Sequence, residues 1–323
     1  MAKLTNKKNI DIFLNENNLT NYILEPIPQD ASSRKYYRIN NNNLLLMVST
    51  SIENNNYEFI KISKYLKTLG LSSPEIIKID HEKGLFLIED FGNLTFNKAI
   101  QNNISEELLY YNAVKCLSNI HDNKPPEDVP IYDYKCLLNE VNLFIQWFLK
   151  EKNIKINKTS LNEWENAWIK VFKKLNNNKL VLRDFHADNL FWLPNRNNIK
   201  RIGLIDFQDA LIGNEAYDIS SLLEDVRRNV SIKTKQKSLQ KFMELNKIKN
   251  KKEFMQNYYI LTAQRNAKIV GIFIKLARKD NKLHYLKLVN KAMSIFIESS
   301  NKAKLKEVLN WLKSNIPENK LYL

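Results

Sequence analysis

The sequence is poor in glycine, cysteine and histidine, and each shortage excludes something. Six glycines in 323 residues leave no G-x-x-x-x-G-K-[ST] and no G-x-G-x-x-G, so Walker-type and Rossmann phosphate loops are excluded. Two cysteines, Cys116 and Cys136, lack C-x-x-C spacing and read as reduced, buried thiols of a cytoplasmic protein. Four histidines form no H-E-x-x-H and no Cys/His cluster, so no zinc signature is present. Apolar runs such as Leu44 to Val48 fall far short of the about 20 residues a membrane span needs. Met1 to Asn9 is polar, and no secretory leader is expected there.

What is present is core-forming material and positive charge. Hydrophobic residues make up 44% of the chain, with 15 Phe, 14 Tyr and 5 Trp, the balance of a globular protein. The formal net charge is +15, from 50 Lys and Arg against 35 Asp and Glu. Only 9 of the 50 are arginine, and the lysines are scattered rather than gathered in one arm. Asparagine runs at Asn40–Asn43, Asn54–Asn56 and Asn176–Asn178 accompany them, which fits the drift of an AT-rich genome. Scattered lysines form solvated faces, so no dedicated nucleic-acid partner is expected.

Apolar periodicity predicts a helix over 5–18, strands at Tyr36 to Ile39 and Leu44 to Ser49, and a helix over Tyr57 to Leu69 stopped by Gly70. Two further strands follow at Ile76–Ile79 and Leu85–Glu89. After Gly92 the pattern turns helical, with helices over Ser105 to His121, Leu137 to Lys150 and Leu161 to Leu175, and long helical patterns from Tyr217 onward. The interruption between about 180 and 210 holds the chemistry. Two apolar flanks around the polar turn Pro194 to Asn198 read as an antiparallel hairpin. The start of its first strand then lies beside the end of its second. Asn189 and Asp206 are thereby paired, and an amide oxygen with a carboxylate suits Mg²⁺. Asp184, in the loop entering the hairpin, can accept a proton from an attacking hydroxyl.

Arg183-Asp184 with Asn189 four residues beyond that pair's successor, followed by Ile205-Asp206-Phe207, resembles the catalytic loop and metal motif of the protein-kinase-like fold. The segments Leu182-Arg-Asp-Phe-His-Ala-Asp-Asn-Leu190 and Leu204-Ile-Asp-Phe-Gln-Asp-Ala-Leu-Ile-Gly213 are closest to the aminoglycoside phosphotransferase-like small-molecule kinases. Within them they resemble the bacterial branch of anomeric N-acetylmuramate/N-acetylglucosamine kinases. Asp30 to Arg38, Leu87 to Gly92, Ala216 to Asp225 and Gln264 to Gly271 continue the likeness in the family's order, over essentially the whole chain.

The resemblance implies an α+β, bilobal protein-kinase-like fold. A small mixed α/β N-lobe would span 1–92 and a larger, mostly helical C-lobe 93–323, with ATP in the cleft. It implies Asp184 as catalytic base, Asn189 and Asp206 as Mg²⁺ ligands, and Glu89, Asp90 and Phe91 as a hinge whose backbone reads adenine. Glu58 would be the ion-pairing helix glutamate, and Asp218 a structural brace of the catalytic loop. The kinase glycine loop is absent; Asp30 to Arg34 stands in its place, so Ser33 and Arg34 would help hold phosphate. The strand Leu44 to Val48 lacks the phosphate lysine, a charge that Arg34 or Arg38 would supply.

Candidates on the acceptor side are Glu140 and Trp147, seven apart on one expected helix face, with His186 and Asp209. Arg265 and Lys268, three apart, would meet the carboxylate of an acidic sugar. The expected activity is ATP- and Mg²⁺-dependent phosphorylation of a sugar hydroxyl, the anomeric hydroxyl of N-acetylmuramate or N-acetylglucosamine, by a cytoplasmic monomer with no membrane partner. Aminoglycosides or other small-molecule hydroxyls are the alternative acceptors. A non-catalytic nucleotide- or RNA-binding protein is the reading from another class.

Overall fold

The computed structural model describes residues 7–28, 34–49 and 56–323. Its elements run α1 (Lys7–Glu16), β1 (Leu24–Pro26), β2 (Lys35–Ile39), β3 (Leu44–Val48), α2 (Asn56–Thr68), β4 (Ile76–Asp80), β5 (Leu85–Glu89), α3 (Phe96–Gln101) and α4 (Glu106–Asp122). Then come α5 (Tyr134–Leu143), a π-helical segment Phe144–Leu149, α6 (Lys158–Phe172), β6 (Lys179–Val181), β7 (Leu190–Trp192), β8 (Ile202–Leu204) and β9 (Leu211–Gly213). The chain closes with α7 (Ala216–Leu223), α8 (Ile232–Leu245), α9 (Lys251–Lys279), α10 (Leu286–Lys302) and α11 (Lys306–Asn315). The strands and helices expected from periodicity are present, with the ends moved by a few residues.

The chain forms two compact units, one of residues 1–116 and 187–209, the other of 117–186 and 210–323. The first is organised by a five-stranded antiparallel sheet in the order β1-β2-β3-β5-β4. Its central register sets Tyr37 opposite Leu46 and Leu46 opposite Leu87. Period-2 alternation puts Leu46, Leu85 and Leu87 on the face where Phe13 and Leu14 of α1 join Ile39 and Val48. Each such buried side chain contributes roughly 1.5–3 kcal/mol. The hairpin of β7 and β8 pairs Leu190 with Leu204 and Trp192 with Ile202. It is strapped to the earlier chain: Leu204 N–H donates to Ser72 O at 2.8 Å, Ser72 Oγ to Lys200 O at 2.7 Å, and Trp192 N–H to Leu94 O at 2.8 Å. These straps place the hairpin in a unit with residues 1–116, a division different from the lobe boundary expected at residue 92.

The second unit is helical around α9, 29 residues long with one face after another buried. Side-chain caps start its neighbours: Asp133 accepts from Cys136 N–H and Asn157 from Ser160 N–H, both at 2.8 Å. Gly271 lets α9 approach α5 closely, because a Cβ there would lie 2.3 Å from the Leu143 carbonyl oxygen. Phe144, Trp164, Trp168, Phe296 and Trp311 form one aromatic cluster, with Phe144 stacked on Trp164 at 5.4 Å. Cys116 is buried as expected, whereas Cys136 is exposed, since it follows the α5 cap in the first helical turn. Among the described residues no helix is long and apolar enough to cross a membrane.

Candidate active site

In the second unit, β6 ends at Val181 and the backbone turns sharply into Asp184. Arg183 takes a left-handed φ of 72°, a conformation that costs a non-glycine residue roughly 1–2 kcal/mol. Two groups hold it there. The buried Asp218 carboxylate accepts Leu182 N–H at 2.6 Å and Arg183 N–H at 2.9 Å. Glu140 of α5 takes the Arg183 guanidinium as an ion pair, and that guanidinium lies over the Tyr132 ring at 5.3 Å. The turn closes with Asp184 N–H on Leu182 O at 2.9 Å and His186 N–H on Asp184 O at 3.1 Å. Asp184 emerges half-buried from a loop fixed on both sides.

Glu140 is the centre of this support. Its carboxylate also accepts Lys268 Nζ and Gln264 Nε2, each at 2.8 Å, and the Tyr132 hydroxyl. Burial alone would raise its pKa, but Lys268 and Arg183 outweigh burial and bring it to about 2. Burial pushes Asp218 up to about 7, against the pull of its two N–H donors.

In the first unit, the open end of the β7/β8 hairpin brings Asn189 and Asp206 together. Asn189 Nδ2 donates to Asp206 Oδ2 at 3.2 Å, and Gln208 Nε2 reaches Asp206 Oδ1 at 2.8 Å. Asp206 has φ 60° and is exposed. Among the described residues no group of three or more His, Cys, Asp or Glu side chains forms a metal cage. The Asn189 amide oxygen and the Asp206 carboxylate are hard oxygen donors, a chemistry that would suit a cation such as Mg²⁺.

The two arginines of β2 and its approach have different surroundings. Arg38 Nη2 meets Asp90 Oδ1 at 3.1 Å while its Nε pairs with Oδ2, and it also reaches Asn93 Oδ1 at 3.1 Å and Gly92 O at 3.2 Å. It latches the segment after β5. Arg34, 4% exposed, lies over the Phe59 ring at 5.5 Å. Phe59 stacks on Phe207 at 5.5 Å and 5°, next in sequence to Asp206. Burial raises the Tyr36 phenol; Arg34 opposes this and the charge of Asp206 adds to it. Arg34 therefore belongs to the surroundings of Asp206, and Arg38 to the expected hinge.

The hinge side chains are engaged. Glu89 pairs with Arg196, Asp90 with Arg38, and Phe91 packs on Phe191 at 5.9 Å under the Arg196 guanidinium. The N–H groups of Glu89 and Asp90 are bonded to Glu75 O and Asn43 O at 2.8 and 2.9 Å. Reading of a base would thus fall to the other backbone groups of this segment. Glu58 is half-buried in the first turn of α2. Ser33 lies outside the described residues.

On the expected acceptor side the structure separates what the sequence grouped. Glu140 and Trp147 are not two regular α-helical turns apart, because the chain passes from α5 into the π-helical segment between them. A wider turn there breaks the seven-residue coincidence. Trp147 instead lines a surface hollow with Lys150, Glu151, Asn153, Ile274 and Arg278. Lys268 is committed to Glu140 and Arg265 is not. His186 is buried, its pKa pushed down to about 3 by burial and by Arg227, and Asp209 is half-buried beside Gln208. Asp188 accepts from Asn97 of α3. Arg183 is a site residue to which the sequence motif alone assigns no role; its role comes from the ion pair with Glu140 of α5.

Solved structures share this α+β architecture. The gentamicin complex of APH(2'')-IIa aligns with a TM-score of 0.64 at 16% identity, covering 95% of this chain and 99% of that one. The streptomycin–ATP ternary complex of APH(2'')-IIa aligns at 0.59 and 16%, covering 92% and 99%. These likenesses define a kinase-like fold. Residues 23–239 match the model of the phosphotransferase enzyme family, and the chain belongs to that family. A curated relative, the N-acetylmuramate/N-acetylglucosamine kinase of Caulobacter vibrioides, is 30% identical over 271 residues, which is 80% of this chain and 74% of that protein.

Proposed function

We propose that this protein is an ATP-dependent sugar kinase that phosphorylates the anomeric hydroxyl of N-acetylmuramate or N-acetylglucosamine. The observation that carries this reading is the pinned Arg183–Asp184 turn, followed five residues after Asp184 by Asn189 on Asp206, in a chain similar to a curated N-acetylmuramate/N-acetylglucosamine kinase. Asp184 accepts the hydrogen bond of the acceptor hydroxyl and orients its oxygen for attack on the γ-phosphorus, taking the proton as the new O–P bond forms and the bond from that phosphorus to the bridging oxygen breaks, releasing ADP. Asp218 and Glu140 hold the turn so that this carboxylate does not wander. Asn189 and Asp206 would hold Mg²⁺, which supplies neutralisation of phosphate charge when bound. Arg34 takes the part of the missing strand lysine, its guanidinium suited to phosphate oxygens, with Ser33 beside it in sequence. Arg38 keeps the hinge in place. Cys116 and Cys136 are both free thiols, which supports a reducing, cytoplasmic setting.

The test is ATP consumption with Mg²⁺ against N-acetylmuramate, N-acetylglucosamine, glucose, kanamycin and choline. Turnover on the two N-acetylated sugars, giving an acid-labile phosphate, is expected. Asp184→Asn should lose at least about 100-fold in kcat with an unchanged Tm. Near-wild-type turnover by that variant removes Asp184 from the role; turnover on kanamycin alone replaces the sugar reading with an aminoglycoside one.

A further inference from the structure

Helix α9 carries a buried guanidinium, Arg265, that no side chain meets in an ion pair among the described residues. Arg265 is 5% exposed, and its Nη1 is buried with no hydrogen-bond partner. Taking a guanidinium out of water is costly unless an acid or several acceptors replace the water. The nearby carboxylates Asp218 and Asp225 hydrogen-bond backbone groups, and neither forms an ion pair with Arg265. Both Asp218 oxygens accept backbone N–H groups, and Asp225 Oδ1 accepts Arg227 N–H at 2.9 Å. Lys268, one turn along α9, has its carboxylate in Glu140.

The surroundings match an anionic ligand. His186 lies in the combined field of Arg227, Asp225 and Arg265 and is held neutral. Asp218 feels the charges of both Asp184 and Arg265. Lys268, one turn along α9, pairs with Glu140, which also holds Arg183, so this stretch of α9 lies beside the loop that carries Asp184.

We propose that Arg265 receives the carboxylate of an acidic acceptor, the group by which N-acetylmuramate differs from N-acetylglucosamine. The inference rests on the sugar-kinase reading and narrows it to the residue that tells the two sugars apart. A guanidinium offers a two-pronged donor edge to a carboxylate, and burial strengthens the pair because water does not compete. N-acetylglucosamine would leave Arg265 as it is in the free protein, and would be bound without its help.

The experiment measures kcat and KM for both sugars in the wild type, Arg265→Gln and Arg265→Lys. Arg265→Gln should raise KM for N-acetylmuramate by at least about tenfold and change KM for N-acetylglucosamine by less than about twofold. Arg265→Lys keeps the charge without the fork, and should fall between on N-acetylmuramate alone. It also carries the test if the Gln variant does not fold. Equal shifts for the two sugars, or no shift for either, overturn the assignment of Arg265 and leave the kinase standing. A wild-type protein that turns over neither sugar overturns the sugar-kinase reading itself.

Discussion

The turn that carries Asp184 and the turn that carries Asp206 are held in opposite ways. Both follow a short strand and both contain a left-handed non-glycine residue, Arg183 at 72° and Asp206 at 60°. The first is supported by buried groups: Asp218 beneath the backbone, and Glu140 on the Arg183 side chain. The second is exposed and rests on two amide contacts, from Asn189 and Gln208. A group that must orient a hydroxyl needs its geometry built in before the substrate arrives. A group that binds a cation can gain its final geometry from the cation and the phosphates. Strain at Arg183 is consequently offset by the fold, while Asp206, an aspartate, tolerates its φ at little cost.

The largest effects should separate the two turns. Asp206→Ala removes an exposed carboxylate, not a buried one. Its Tm should stay within about 2 °C of wild type, while kcat falls by at least about 100-fold. Asp218→Ala leaves the Leu182 and Arg183 N–H groups buried without acceptors, at about 1–3 kcal/mol each. Its Tm should fall clearly, together with turnover. Thermal unfolding and steady-state rates on the same two proteins check this. A strongly destabilised Asp206→Ala would erase the contrast.

A smaller break acts one layer further out. Glu140→Gln leaves the half-buried Arg183 and Lys268 without their acid, and should cost about 3 kcal/mol. Turnover should drop by about tenfold, as the Asp184 loop loosens, with KM for ATP unchanged. The pH dependence follows from the sign of the shift. Glu140 has its pKa lowered from 4.5 to about 2, so its stabilising contribution is present above pH 4.5 and is lost as pH falls through about 2. The stability difference between wild type and Glu140→Gln should therefore be full at neutral pH and shrink over that acid range, as followed by urea unfolding. A constant difference down to pH 2 would mean that Glu140 is not the charged hub of the network.

Local features of the site were legible in the sequence, and distant ones were not. Asn189 and Asp206 could be paired because apolar flanks around a polar turn define a hairpin and its register follows. The sheet strands were legible for the same period-2 reason. Glu140 was placed beside Trp147 because seven residues equal two α-helical turns, and no residue in Phe144–Leu149 announces a π turn. Its true partners, Arg183, Gln264 and Lys268, are 43, 124 and 128 residues away, and contacts at such separations leave no periodic trace. Lys268 and Arg265 looked equivalent for a related reason: three-residue spacing reports a shared helix face, not which side chain a distant acid has already claimed.

The smallest predicted effect divides two residues that the sequence could not. Arg34 and Arg38 both approach or enter β2, and either charge could replace the absent lysine. Arg38 is occupied by Asp90, Asn93 and Gly92. Arg34 is held over Phe59, whose ring stacks on Phe207, a built-in placement like that of Asp184. Arg34→Ala should raise KM for ATP by about tenfold, the loss expected for one charged hydrogen bond to phosphate, and Arg34→Lys should restore part of it. Arg38→Ala should leave KM for ATP within about twofold and lower Tm slightly, since a partly exposed ion pair contributes about 1 kcal/mol or less. If Arg38→Ala weakened ATP and Arg34→Ala did not, the phosphate charge would belong to Arg38, and Arg34 would be a packing residue between β2 and α2.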